Sequence, residues 1–407
     1  MTNESHDDSE KTQRRLEVAL LLLLSRLSLS DEQARWARKV LAEKIDMARF
    51  IDICSQSFAA PFVVRHSQHI GLDEIEKNAG QRLADTALSF AKHNLFLASE
   101  QASFHRKCVM PITERYVYLK GPATAAAYYG NIGVRVSRDI DILVHKDDHE
   151  ALLRHAWSAG FTPLLEPESG IEVAGERDFR ALLDYSINHI ALKSPGGMMV
   201  EIHIAVDSKD SIAPDTFLSN RQTVNLGSSE FAIPATSCLF NYLCVHHTRH
   251  YFSRANWVAD LITISADRGF DRNEALQFAE AHGLGQLVAC CLEFADCCGQ
   301  PWRWVDDAPL GDAGDLLQYC IDVFGRPPSE ERRLSRARHR KQAHFSWERP
   351  DNWPAAIVRR LLGRPFSRRE ERYMLLRFYI RRPLPRVLQF LYVLPRLFDG
   401  AINRSRD

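Results

Sequence analysis

The chain has 407 residues, of which 45% are hydrophobic and 26% charged, and its 52 basic side chains balance 52 acidic ones. That length allows two or three domains with a large core, and the composition is that of a globular protein rather than a disordered or fibrous one. Zero formal net charge argues against a generic polyanion binder, and no apolar run is long enough to span a bilayer.

Residues 1 to 12 are polar and are expected to lack fixed structure. The apolar run Val18 to Leu24 follows Asp7, Asp8 and Glu10 and ends at Arg26, which lacks the basic start and small-residue cleavage site of a signal peptide. From Arg14 to about Cys108, apolar residues recur at three- and four-residue spacing, as in helices. Ser30 and Gln33 form a capping-box pattern before the helix carrying Trp36, Val40 and Leu41. Pro61 interrupts the next pattern, and Leu72-Asp73 opens another helix through Leu97. The histidines of this block have no acidic partner at metal spacing.

A second block, from about Pro111 to Pro234, mixes strand and helix patterns. Tyr116 to Leu119 reads as a strand, Lys120-Gly121 breaks it, and the small residues after Pro122 read as a helix. A glycine-containing loop leads to Arg135, Arg138 and the strand Asp139 to Val144. Side chains two apart on a strand share a face, so Asp139 and Asp141 point one way while Ile140 and Ile142 face a core. Two carboxylates side by side repel, and a hard divalent cation between them relieves the repulsion. Asp147 to Ala159 reads as a helix, Phe161 to Leu165 as a strand, and the charged segment Glu166 to Arg180 as a loop. Ile187 to Leu192 alternates and turns at Pro195-Gly196-Gly197 into Met198 to Ile204. In that second strand Glu201 and His203 face away from Val200 and Ile202. The hairpin brings either Asn188 or His189 to the carboxylates, depending on register. Interleaved strands and helices make the class α/β (α+β) with a mixed sheet.

From Pro234 the pattern is helical again. One helix carries His246 and His250, four apart and hence on one face, and the next carries Trp257 and Asp260. A zinc site there lacks the glutamate base of an H-E-x-x-H protease, because His247-Thr248 fills that place. Further helices follow at about 273 to 283, 284 to 298 and 311 to 324. Nine cysteines without C-x-x-C spacing suit a reducing compartment and a cytoplasmic protein. Cys290-Cys291 and Cys297-Cys298 lie roughly 10 Å apart along a helix, too far for one zinc ion, and read as small core residues. Arg326-Pro-Pro-Ser329 reads as a linker, and the tail beyond it carries two arginine runs, the second interleaved with aromatics. Such a tail suits peripheral contact with a membrane, binding to nucleic acid, or packing on the body with a solvated arginine face. The chain thus divides into a helical region 1–110, a catalytic core 111–235, a helical bundle 236–325, and a linker with an Arg-rich tail 326–407.

Leu119-Lys120-Gly121, Arg135, Arg138-Asp139-Ile140-Asp141 and Val200-Glu201-Ile202-His203 together resemble the nucleotidyltransferase superfamily with a polymerase-beta-like core. The likeness is closest to a bacterial branch with an LKG opening, a basic residue before D-h-D-h-h-V, and a later h-D/E-h-H strand. It covers residues 116 to 265 best. The resemblance implies a mixed-sheet core flanked by helical regions, and transfer of an NMP group from a nucleoside triphosphate to an acceptor with release of pyrophosphate. Asp139, Asp141 and Glu201 would be the catalytic residues and would hold two Mg²⁺ ions. Lys120, Gly121, Arg135, Arg138 and His203 would bind the nucleotide. The branch also has a helical H-x-x-x-H and an aromatic-x-x-D, here His246, His250 and Trp257 with Asp260, which would sit beside the nucleotide or acceptor pocket.

The superfamily's Gly-Ser pair is replaced by Lys120-Gly121, which removes a hydroxyl often found near the triphosphate. Neither the base nor the acceptor, whether small molecule, sugar, protein or RNA, is written in these motifs. The contrasting reading is an inactive scaffold that kept the fold and docks on membrane or RNA through its tail. An aspartate-nucleophile phosphatase also uses D-x-D, but Ile142-Leu143 stands where it has threonine or valine.

Overall fold

The computed structural model describes residues 2–326, apart from 44, 73–76, 168–169, 187, 207–210 and 308–310, together with 330 and 334. The two arginine runs of the tail therefore lie outside the described residues. Helices open the chain: α1 (Thr2–Leu24), α2 (Asp31–Glu43), α3 (Met47–Gln56), α4 (Ala60–His66) and α5 (Lys77–Phe104). The capping box at α2 is reciprocal, with Gln33 N–H donating to Ser30 Oγ at 3.2 Å and Ser30 N–H to Gln33 Oε1 at 2.9 Å. The polar leader continues α1 instead of lacking structure. Once the apolar end of that helix is packed, each further residue adds one hydrogen bond, and Glu10 lies 3.8 Å from Arg49. Val18 to Leu24 are all fully buried, so this run is core.

The sheet segment runs β1 (Tyr116–Tyr118), α6 (Pro122–Tyr128), β2 (Asp139–Val144), α7 (Lys146–Ser158), β3 (Thr162–Glu166), β4 (Ile171–Glu172), α8 (Glu176–Tyr185), β5 (His189–Lys193) and β6 (Met199–His203). Six strands form one mixed sheet in the order β1-β2-β6-β5-β3-β4. Only β2 and β6 pair parallel; the other neighbours are antiparallel. The charged segment expected as a loop contains α8. Its Phe179 stacks on Trp157 at 5.2 Å, and Arg154 of α7 ion-pairs with Glu176 at 2.8 Å, so tertiary packing fixes the helix. After α9 (Pro214–Ser219), β7 (Arg221–Leu226) and β8 (Ser229–Pro234) make a separate hairpin, turned at Gly227 with φ +62°.

The remaining helices are α10 (Thr236–Arg249), α11 (Ala255–Ser265), α12 (Arg272–Ala281), α13 (Gly285–Cys298) and α14 (Asp312–Val323). Helices from both ends of the described chain share one apolar cluster, which includes Leu21, Phe50, Leu239, Val258, Leu287 and Leu317. A second cluster holds one face of the sheet, with Ile140, Ile142, Ile190, Val200 and Ile202 against Leu152 and Leu153 of α7. Leu143, Val117 and Leu119 face the other way and join the helical cluster. The carboxylate face of β2 is therefore roofed by helices, and twelve consecutive residues of α10, Ser237 to Thr248, are buried. All nine cysteines are free, and eight are buried, as expected of small core residues. No helix among the described residues is long and apolar enough to cross a membrane.

Candidate active site

Strand register assembles the site. Pairing of β2 with β6 sets Asp141 directly beside Glu201, and alternation puts Asp139 and His203 on the same face. In the β5–β6 hairpin His189 lies opposite His203, and of the two alternatives it is His189 that meets the carboxylate. Its Nε2 stands 3.8 Å from Glu201 Oε2, and its ring centre 4.8 Å from that of His203. Asn188 lines the same cavity from the start of the hairpin.

Asp141 is 1% exposed and sits between two cations. Lys120 Nζ is 3.2 Å from its Oδ2, and His203 Nε2 is 3.2 Å from its Oδ1. His203 Nε2 also lies 3.4 Å from Glu201 Oε2. Burial alone would raise Asp141, but Lys120 and His203 hold it well below the usual carboxylate range. Against burial, its contacts with Asp141 and Glu201 lift His203 to about 9. Asp139 is half-buried, and desolvation with repulsion from Asp141 pushes it up to about 7.

Behind Lys120 a buried polar chain runs away from the strands. Lys120 Nζ meets His246 Nε2 at 3.2 Å, His246 Nδ1 meets His247 Nδ1 at 3.0 Å, and His247 Nε2 meets Asp260 Oδ2 at 3.0 Å. Asp260, fully buried, also accepts from Arg135 Nε and Nη2 at 2.6 and 2.7 Å and from the Tyr129 hydroxyl at 2.6 Å. Burial keeps both histidines neutral. One set of tautomers then satisfies every link: Lys120 donates to His246, His246 to His247, and His247 to Asp260. Arg135, expected to neutralise phosphate, has its fork filled by Asp260, and its remaining nitrogen donates to Ser137 Oγ at 2.8 Å. It braces the site rather than offering free charge to it. Asp260 is likewise tied into this chain, so the His246, His250 and Asp260 set is not a zinc site as arranged.

Lys120, Arg135, His246 and the carboxylates and histidines of β2, β5 and β6 line one cavity of about 710 Å³, within the usual size of a ligand site, whereas Tyr129, His247 and Asp260 are not among its lining residues. Arg138 is exposed at its edge, and Gly121 stands between Lys120 and α6 with φ +89°, a conformation that suits glycine. The motifs did not single out Phe58, Tyr242, Tyr251, Arg249 or Arg254, which also line the cavity. Among the described residues, the non-glycine residues with positive φ, Phe58, Tyr251 and Phe252, all sit on the two loops at its rim. Those loops are joined by Ala255 N–H donating to Ser57 O at 3.0 Å. No local pattern marks Phe58, because its place in the wall depends on packing nearly two hundred residues away.

The donor set fits a divalent cation. Three carboxylates, Asp139, Asp141 and Glu201, share one face with two compensating cations, Lys120 and His203, which leaves a net negative charge that a divalent cation would offset. Asp141 is nearly sealed from solvent between Lys120 and His203, so the half-buried Asp139 and Glu201 offer the more open positions. No curated protein matches the chain. Residues 43–300 match the model of a family described as "Uncharacterised nucleotidyltransferase", a span that takes in the sheet, the helices α10 and α11 that roof the carboxylates, and the Phe58 loop; the chain belongs to that family of nucleotidyltransferases.

Proposed function

We propose that the cavity binds a nucleoside triphosphate with Mg²⁺ and transfers its NMP group to an acceptor, releasing pyrophosphate. The observation that carries this reading is the register that sets Glu201 beside Asp141, on the face that also carries Asp139, in the floor of a cavity lined by Lys120 and several arginines. Asp139, Asp141 and Glu201 would hold the ions, which supply electrostatic stabilisation to the phosphate oxygens.

The chain's own residues divide the remaining work. Lys120, held charged by Asp141 against the effect of burial, neutralises phosphate as a point charge. Arg138, Arg249 and Arg254 add positive charge from the cavity wall. Gly121 lets the backbone approach the phosphates closely. In the transfer, an acceptor hydroxyl or similar group forms a bond to the α-phosphorus as the α–β bridging bond breaks. Pyrophosphate leaves with that electron pair, and the acceptor's proton passes to a base or to water. Arg135, through Asp260, His247 and His246, positions Lys120 without touching substrate. The test is release of pyrophosphate from each of the four ribonucleoside triphosphates with Mg²⁺, with and without candidate acceptors. Transfer abolished by chelation supports the reading. Nucleotide binding with no transfer to any acceptor would favour the scaffold instead.

A further inference from the structure

We propose that His189, Glu201 and His203 form a mixed nitrogen and oxygen site for a first-row transition ion, beside the all-oxygen Asp139–Asp141 pair and different from it in chemistry. The inference deepens the nucleotidyl-transfer reading and rests on it for the ion's role. The binding itself is measurable without nucleotide.

Spacing is the first argument. One donor atom from each of His189, Glu201 and His203 lies within 4.8 Å of the others. His203 Nε2 is 3.4 Å from Glu201 Oε2, and His189 Nε2 is 3.8 Å from the same oxygen. Two ligands each about 2.1 Å from a tetrahedral ion stand about 3.4 Å apart, so these separations are those a single ion spans with small adjustments. Aim is the second. His203 is 9% exposed, its Nδ1 has no partner among the described residues, and its polar contacts run through Nε2 towards the two carboxylates. Access is the third, because the side chains of His189 and Glu201 are 39% and 24% exposed and line the cavity, which gives an ion its path in.

Ligand chemistry then sets the class of ion. Imidazole nitrogens favour Zn²⁺ or Co²⁺ over Mg²⁺, which keeps to oxygen ligands and its own water, and Mn²⁺ is the weakest binder of the transition series and hence the most demanding probe. The competing account is that His203 is only a built-in cation screening Asp141 from Glu201. The two accounts give opposite signs for one substitution. If His203 is a ligand, removing it weakens ion binding; if it is a competing cation, removing it tightens ion binding.

The experiment uses the full-length protein stripped of metal, without nucleotide, titrated with Mn²⁺ while the free ion is followed by electron paramagnetic resonance. Mn²⁺ binding should survive a tenfold excess of Mg²⁺, and His203→Ala and His189→Ala should each weaken it by about 10-fold or more. Co²⁺ should give visible d–d bands that His189→Ala diminishes. His189 is the more exposed of the two, so its variant keeps the test open if His203→Ala does not fold. Tighter or unchanged Mn²⁺ binding in these variants, or one-for-one displacement by Mg²⁺, would overturn the proposal. Mg²⁺-supported transfer without transition-ion binding would remove this inference alone, whereas ion binding without any transfer would remove the activity alone.

Discussion

Replacing Asp260 by Asn keeps the shape of the side chain and removes its charge, which isolates the brace behind Lys120. Asp260 is fully buried and engages Arg135, Tyr129 and His247 within 3.0 Å. Burial opposes its ionisation, yet Arg135 and His247 hold it well below the usual carboxylate range. Asp260→Asn leaves the Arg135 guanidinium buried without its counter-charge, and breaking one side of such a pair costs about 3–5 kcal/mol. Urea denaturation followed by circular dichroism should show a lower midpoint with an unchanged slope. The double variant Arg135→Met with Asp260→Leu removes both charges and should recover most of the loss. Nucleotide affinity should separate from stability: His247 lacks its charged acceptor in both variants, so Lys120 loses its alignment in both and affinity stays low even where stability returns. A loss under about 1 kcal/mol for Asp260→Asn, or a double variant no more stable than the single, would refute the reasoning.

Lys120→Ala should weaken nucleotide binding in equilibrium titrations, whereas Glu201→Gln should leave affinity near wild type and slow turnover; equal effects on both quantities would contradict the division of roles. Gly121→Ala forces a side chain into φ +89°, so melting should show a loss of about 1–3 kcal/mol although the new Cβ meets nothing closer than 3.5 Å. His105 packs against Tyr116, Tyr118 and Phe231, and burial lowers it from 6.5 to about 4. The unfolded chain takes up that proton first, so the contribution of His105 is full above pH 6.5 and is lost as pH drops towards 4, by up to about 3 kcal/mol. His105→Phe should flatten this part of the wild-type pH profile, and parallel profiles would count against the assignment.

Much of the site was legible because it is carried by strands of period two. Alternation alone put Asp139 with Asp141 and Glu201 with His203, and the Pro-Gly-Gly turn announced the β5–β6 hairpin. What alternation lacks is register, so His189 and Asn188 could not be told apart until His189 was seen opposite His203. Arg135 shows a different limit. Its residue type and place beside Asp139 suggest phosphate, but its partner Asp260 lies 125 residues along the chain. Helix α8 was hidden by its charges, since Phe179 and Leu182 become a buried face only when Trp157 is packed beside them. Strand β7 alternates exposed with half-buried residues and buries none of them fully, so its largely polar sequence gave little signal.

The most direct test compares the full-length wild type with Asp139→Asn and Asp141→Asn in Mg²⁺-dependent pyrophosphate release from a ribonucleoside triphosphate, after circular dichroism has shown all three folded. The expected result is robust release by the wild type, loss of release in both variants, and no release by any of them in chelator. Wild-type rates in either folded variant would contradict the assignment of these carboxylates to the chemistry.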